Sequence, residues 1–359
     1  MAPILRAMAV VAAGRARVAM AVSALLLVAA CAAPGPASQQ TLRSAATPQA
    51  SDSALEDRIL AMDPLRITPE DVKVLAKGPT PRIMLLHGGI YPVHLVMESF
   101  GEFLVKMGYP EARIRKPFDG SWSYSPYEDA NRLAGIAAWY YEKDGMTPII
   151  IGHSQGGMQA VKVLHVLAGE YGSEVAVWNP LTDFPEPRTE IVDPRTGRKQ
   201  PVVCMRLGYV SAVGAGGAAF ILPNQWSLIG KLRTIPDNVE EFTGYWIDVD
   251  LWAWTLPGTE KVRDFTGSGK VRIRNVTLSA SNNHVFLPAS SDLPLEPAAR
   301  AWIEGYVPGT KVAPPANAQS NILWAADVWY DVKKFWVLET QRLIRAKRSA
   351  AKAVAGAPR

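Results

Sequence analysis

The chain is short of the residues that build cross-links and metal centres. Its 359 residues include two cysteines, Cys31 and Cys204, and five histidines, His87, His94, His153, His165 and His284. Two cysteines exclude a disulfide-stapled scaffold, and no histidine pair stands at ligand spacing, so no metal site is expected. Charge of one sign is also scarce. The formal +5 falls to +2 without the three arginines of residues 1–30, too little for a nucleic-acid surface. No apolar run approaches the roughly 20 residues needed to span a bilayer. There is no repeat of fixed period, and the 28 glycines and 28 prolines are scattered as turns, not gathered into low-complexity tracts. What remains is an ordered chain, 48% apolar, long enough for one α/β domain with insertions or two small ones.

The N-terminus reads as a targeting segment. Arg6, Arg15 and Arg17 precede the apolar "VAMAVSALLLVAA", and small residues then lead to Cys31. The stretch "LVAAC" resembles the bacterial lipobox, with a valine at position 28 where leucine is commonest. That resemblance implies a lipoprotein signal peptide over 1–30, lipidation of Cys31 and a lipid-anchored place in the bacterial cell envelope. Ala32 in place of aspartate resembles outer-membrane sorting, with the domain facing the periplasm or the surface. With Cys31 acylated, Cys204 has no partner for an internal disulfide. Residues 31–54 are small and polar and read as a flexible tether.

Beyond Leu55 the pattern alternates strand and helix, which favours a mostly parallel central sheet with helices on both faces. Thr68 and Pro69 open a short helix that ends by Gly78. "RIMLLHGG" is an apolar strand entering a glycine loop, and "HLVMESFGEFLVKMG" is a helix. "EARIRKPF" is a shorter strand candidate. A helix leading to Gly145, the strand "TPIII", the helix "QGGMQAVKVLHVLAGE" and the strand candidate "SEVAVWNP" follow. Order breaks at 181–240, where a hairpin around Asp193-Pro194 and Gly197 precedes the glycine-rich "GYVSAVGAGGAAFILPNQWSLIGKL". This stretch reads as a cap or lid insertion. "EFTGYWIDVDLWAW" and "KVRIRNVTLSASNNHVFLP" supply the last strands, and "LEPAARAWIEGYV" a closing helix.

The chemistry gathers at "TPIIIGHSQGGMQAVKV". Gly152 and Gly156 flank Ser154 at a strand-to-helix junction, where side chains at those positions would collide. The turn exposes a hydroxyl at a helix N-terminus, which favours developing negative charge. A serine nucleophile needs a base. Of the two histidines that follow it, His165 lies three turns down the same helix and cannot fold back, leaving His284. The orienting acid belongs after the penultimate strand. Asp250 is the first choice, with Asp248 and Asp264 as alternatives and Glu260 behind them. The main-chain amides of Gly89 and Gln155 are the expected oxyanion donors, with Ile90 an alternative to Gly89. "GAGG" does not run from a strand into a helix in the dinucleotide manner, so no cofactor is expected.

Strand-HGG, strand-GHSQGG-helix and a late loop histidine together resemble the α/β-hydrolase fold on its lipase and esterase side, over residues 80–307. The resemblance implies a 55–312 α/β-hydrolase domain with 181–240 as cap, Ser154 as nucleophile, His284 as general base and Asp250 as the acid. It also implies an apolar ester or acyl substrate hydrolysed through an acyl-enzyme. "IDVDLWAW" does not align with the family around the acid. Tryptophans 226, 246, 252 and 254 either line an acyl pocket or pack the core. The same triad serves an acyltransferase, and a non-catalytic envelope lipoprotein is the reading outside enzymes. The tail, 313–359, reads as an amphipathic basic helix, with apolar residues at 322, 325, 329, 332, 336 and 343, and with eight basic and three acidic residues from 319 onward. It suits either a membrane surface or its own domain.

Overall fold

The computed structural model describes residues 49–90, 93–256 and 258–355, so the leader and Cys31 lie outside the described residues. At the centre is a six-stranded sheet: β1 (Ile83–Leu86), β2 (Ser123–Tyr124), β3 (Ile149–His153), β4 (Leu207–Val213), β5 (Val239–Ile247) and β6 (Arg272–Leu278). Its order is β6-β5-β4-β3-β1-β2, and every pairing is parallel. Besides a single turn at Glu260–Arg263, the helices are α1 (Gln49–Leu60), α2 (Pro69–Leu75), α3 (Val93–Lys106), α4 (Ala130–Asp144), α5 (Gln155–Leu167), α6 (Pro297–Gly305) and α7 (Ile322–Ala355). Helix α1 begins inside the stretch read as a tether. Thr68 caps α2 in a reciprocal capping box with Asp71, and Gly145 ends α4 in the left-handed conformation.

Strand pleat divides the core in two. Ile83, Leu85, Ile149, Ile151 and Tyr245 face α1, α3 and α7, while Met84, Leu86, Ile150, Val210 and Trp246 face α4 and α5. The protein is therefore an α/β fold with helices on both faces of a parallel sheet.

Three further sequence expectations change. The 181–240 stretch is not a cap throughout, because Leu207–Val213 is a wholly buried strand between β3 and β5. A strand buried on both faces shows no alternation, so this glycine-containing run looked irregular. "SEVAVWNP" does not join the sheet. Its main chain lies along α4 at Gly135, where an added Cβ would stand 2.2 Å from the Ala176 carbonyl. Only Trp178–Asn179 pairs, antiparallel with Phe184–Pro185. "EARIRKPF" opens instead as a 3-10 turn, Glu111–Arg113, after Pro110, and the edge strand is Ser123–Tyr124. The hairpin at Asp193-Pro194 forms as read, from Glu190–Val192 and Lys199–Pro201.

Helix α7 lies against the sheet. Trp324, Trp329, Val332, Phe335 and Trp336 are buried in the core cluster with Tyr209 and Tyr245, so the apolar stripe packs within its own domain. Buried charge adds to the joint. Arg274 on β6 holds Asp327 at 2.6 Å and Asp331 at 2.5 Å, both fully buried on α7, and Tyr245 and Tyr306 donate to Asp327. Removing the cation strands two carboxylates. Arg274→Met is expected to lower unfolding free energy by about 3–5 kcal/mol in urea titrations. No helix among the described residues is long and apolar enough to cross a membrane.

Candidate active site

All the relevant side chains lie where the strands end. In open parallel sheets the loops at the carboxyl ends of strands form the binding crevice. Ser154 leaves β3 with φ 55° and ψ −124°, a sparsely populated positive-φ conformation that costs an L-residue about 1–3 kcal/mol. The neighbouring glycines permit it. A Cβ on Gly152 would stand 2.4 Å from the Gly156 carbonyl, and one on Gly156 would stand 2.2 Å from the Leu86 carbonyl. Helix α5, rising from the turn, is thus pressed against the end of β1.

The structure brings three sequence-selected residues into one relay. Ser154 Oγ lies 2.8 Å from His284 Nε2, and His284 Nδ1 lies 2.6 Å from Asp250 Oδ2. Asp250 is 3% exposed and His284 is largely covered. The other Asp250 oxygen, Oδ1, accepts main-chain N–H bonds from Trp252 at 3.0 Å and Ala253 at 3.1 Å. A two-way backbone bridge between Asp250 and Thr255 closes the loop that presents the carboxylate. The alternatives stand apart. Asp248 remains at the strand end, its N–H on the Leu278 carbonyl, and Asp264 is half-exposed beside Arg263.

Four contributors were not found from sequence. Gly214, just past β4 at φ +62°, lies under the pair: a Cβ there would stand 2.8 Å from His284 Cε1 and 3.0 Å from Nδ1. Gly214→Ala is expected to displace the imidazole and cut kcat by about 10²-fold, read by steady-state kinetics on ester substrates. His87 Nδ1 lies 2.7 Å from the Gly88 carbonyl, and burial lowers the pKa of this ring, leaving a neutral N–H donor. A peptide's C=O and N–H point opposite ways, so pinning that carbonyl fixes the direction of the Gly89 N–H. Tyr127 donates to the next carbonyl, Gly89 O, at 2.8 Å. Gln155 takes the first position of α5, where the main-chain N–H has no intrahelical acceptor. Gly89 packs so closely that a Cβ on it would overlap the Gln155 side chain. The fourth contributor, His153, donates Nε2–H to the His284 carbonyl at 2.7 Å.

Burial, and then the nearness of His284, lower the pKa of His153 to about 3. The unfolded chain protonates this ring near 6.5. The associated stability is therefore complete above about pH 6.5 and is lost as pH falls toward 3. His153→Leu removes that linkage. Between pH 7 and pH 5, urea titrations should show the variant losing about 2 kcal/mol less than the wild type.

Ser154, Gln155, Gly89 and His284 line a cavity of about 320 Å³ whose remaining wall is mostly apolar, including Ile90, Val93, Ile221, Leu222 and Trp252. Residues 216–222, part of the former cap stretch, form one side. Of the four tryptophans, Trp252 alone faces this cavity. Trp246 is core, stacked on Phe265, and Trp226 and Trp254 are exposed elsewhere. Among the described residues no group of three histidine, cysteine, aspartate or glutamate side chains is placed to hold a metal ion, and Cys204 is free.

No family model and no curated protein sequence matches the chain. Among solved structures, one titled "RedJ with PEG molecule bound in the active site" is similar at 15% identity with a TM-score of 0.26, over 62% of this chain and 92% of that one.

Proposed function

We propose that the protein is a serine hydrolase of the α/β-hydrolase type, acting on carboxylic esters with apolar acyl groups. The observation that carries this reading is the unbroken Asp250–His284–Ser154 relay at a strained turn, opening into an apolar cavity. Ser154 Oγ attacks the ester carbonyl carbon while His284 Nε2 takes its proton. The Gly89 and Gln155 amides receive the oxyanion, and Asp250 stabilises the imidazolium. Collapse breaks the bond to the alkoxide, which leaves with the proton from His284. Water then repeats the sequence on the acyl-enzyme, releasing the acid and restoring Ser154.

The cavity wall sets the substrate class. It places apolar side chains beside the serine, and Ile90, Ile221 and Trp252 remain exposed at its mouth, where an acyl chain would cover them. Lipidation of Cys31 would hold the enzyme at a membrane, and the mass of the mature N-terminus reads that modification directly. The test of the activity is a series of p-nitrophenyl esters under pre-steady-state conditions. A burst of nitrophenol near one equivalent per enzyme, followed by slower turnover, supports the acyl-enzyme. A folded protein that hydrolyses none of the series overturns the reading.

A further inference from the structure

His153 is 1% exposed and closes β3 one residue before Ser154. Its bond to the His284 carbonyl joins the nucleophile turn to the loop of the base, 131 residues away in sequence. With the Ser154–His284 contact it closes a ring: hydroxyl to imidazole, along residue 284 to its carbonyl, across to His153, and one peptide back to Ser154. The two imidazole centroids are 5.2 Å apart.

The loop needs such a tie. His284 lies beyond the end of β6 in a segment without regular structure, and the two side chains that precede it bond locally. Asn282 donates to the Ser279 carbonyl, and Asn283 accepts from the N–H groups of Val285 and Phe286. Those bonds shape the loop but do not set its distance from β3. Farther along, Asn321 donates to the Leu287 and Ala289 carbonyls and ties the loop to the start of α7. The His153 bond is the main-chain tie at His284 itself, to the nucleophile turn.

Stability does not account for a histidine here. With Nε2–H as donor, Nδ1 is a bare acceptor, buried with no hydrogen-bond partner among the described residues. An unpaired buried acceptor is destabilising and offsets what the Nε2–H bond to the His284 carbonyl contributes. The ring also stays neutral, since its pKa is about 3, so no second cation forms beside the imidazolium of the reaction.

We propose that His153 is a positioning residue, holding the His284 main chain so that Nε2 stays within hydrogen-bonding reach of the Ser154 hydroxyl. This rests on the hydrolase reading above. His153→Leu removes the donor, whereas His153→Gln keeps an N–H that can reach the carbonyl. In the leucine variant kcat should fall by about 10²-fold, as expected for a misplacement near 1 Å, with KM changed less than about twofold. Glutamine should restore kcat to within about tenfold of wild type. The leucine variant should melt close to wild type, since the bare Nδ1 it removes offsets the carbonyl it leaves unpaired. Leucine at wild-type kcat, or leucine and glutamine failing equally with a lowered Tm, overturns the proposal. A second readout does not need turnover: the low-field proton NMR signal of His284 Nδ1–H on Asp250. It should persist in wild type and His153→Gln and broaden or move upfield in His153→Leu. If wild type hydrolyses no ester, the function fails, and this signal alone decides the positioning role. An unchanged signal in the leucine variant overturns it.

Discussion

Replacing Ser154 with alanine is expected to cut ester turnover by about 10³-fold or more, the range seen when a triad nucleophile is removed. Only one oxygen is lost, so the fold should be intact and KM little changed. The strained backbone sharpens the test. Alanine at φ 55° keeps the strain that serine bears, whereas glycine relieves it. Ser154→Gly should be as inactive as Ser154→Ala yet more stable by about 1 kcal/mol. Equal stability of the two, by urea titration, would mean that the turn is not held under strain.

Asp250→Asn is expected to cost roughly 10²–10⁴-fold in kcat with KM nearly unchanged. The surroundings dictate how the amide sits. Its oxygen keeps the bonds from the Trp252 and Ala253 N–H groups, which turns the NH₂ toward His284 Nδ1. The imidazole must then present Nδ1 as acceptor and carry its proton on Nε2, the wrong tautomer to accept from serine. Asp248→Asn and Asp264→Asn remove the same charge without touching the imidazole and should cost under about tenfold. A large drop at either in place of Asp250 would contradict the relay described above.

Much of this site was legible because its constraints are local. Gly152 and Gly156 are required by collisions within the turn itself, and the apolar run before Ser154 has one use, a buried strand. His284 followed from chain order once His165 was set on the nucleophile helix. Asp248 and Asp250 lie on the same side of the pleat, so the sequence separated them only by which one ends the strand-like run; in the structure the Asp250 carboxylate is the one that meets His284 Nδ1. The unread parts depend on contacts distant in sequence. Gly214 matters because His284 comes to rest over it, and Tyr127 and His153 because of carbonyls they reach in space. Strand β4 was hidden by burial on both faces, which erases the alternation that marks a strand. The aromatic stripe of α7 illustrates the same limit. Residues at 329, 332 and 336 suit lipid or protein equally, and only the packing on Tyr209 and Tyr245 shows which face receives them.

The measurement that tests the central claim most directly is fluorophosphonate labelling of the full chain, with intact mass and peptide mapping. The account predicts a single phosphonyl adduct on the peptide that contains Ser154, formed in wild type and absent from Ser154→Ala. An adduct on a different serine, one that persists in Ser154→Ala, or no adduct on the folded wild-type protein would contradict it.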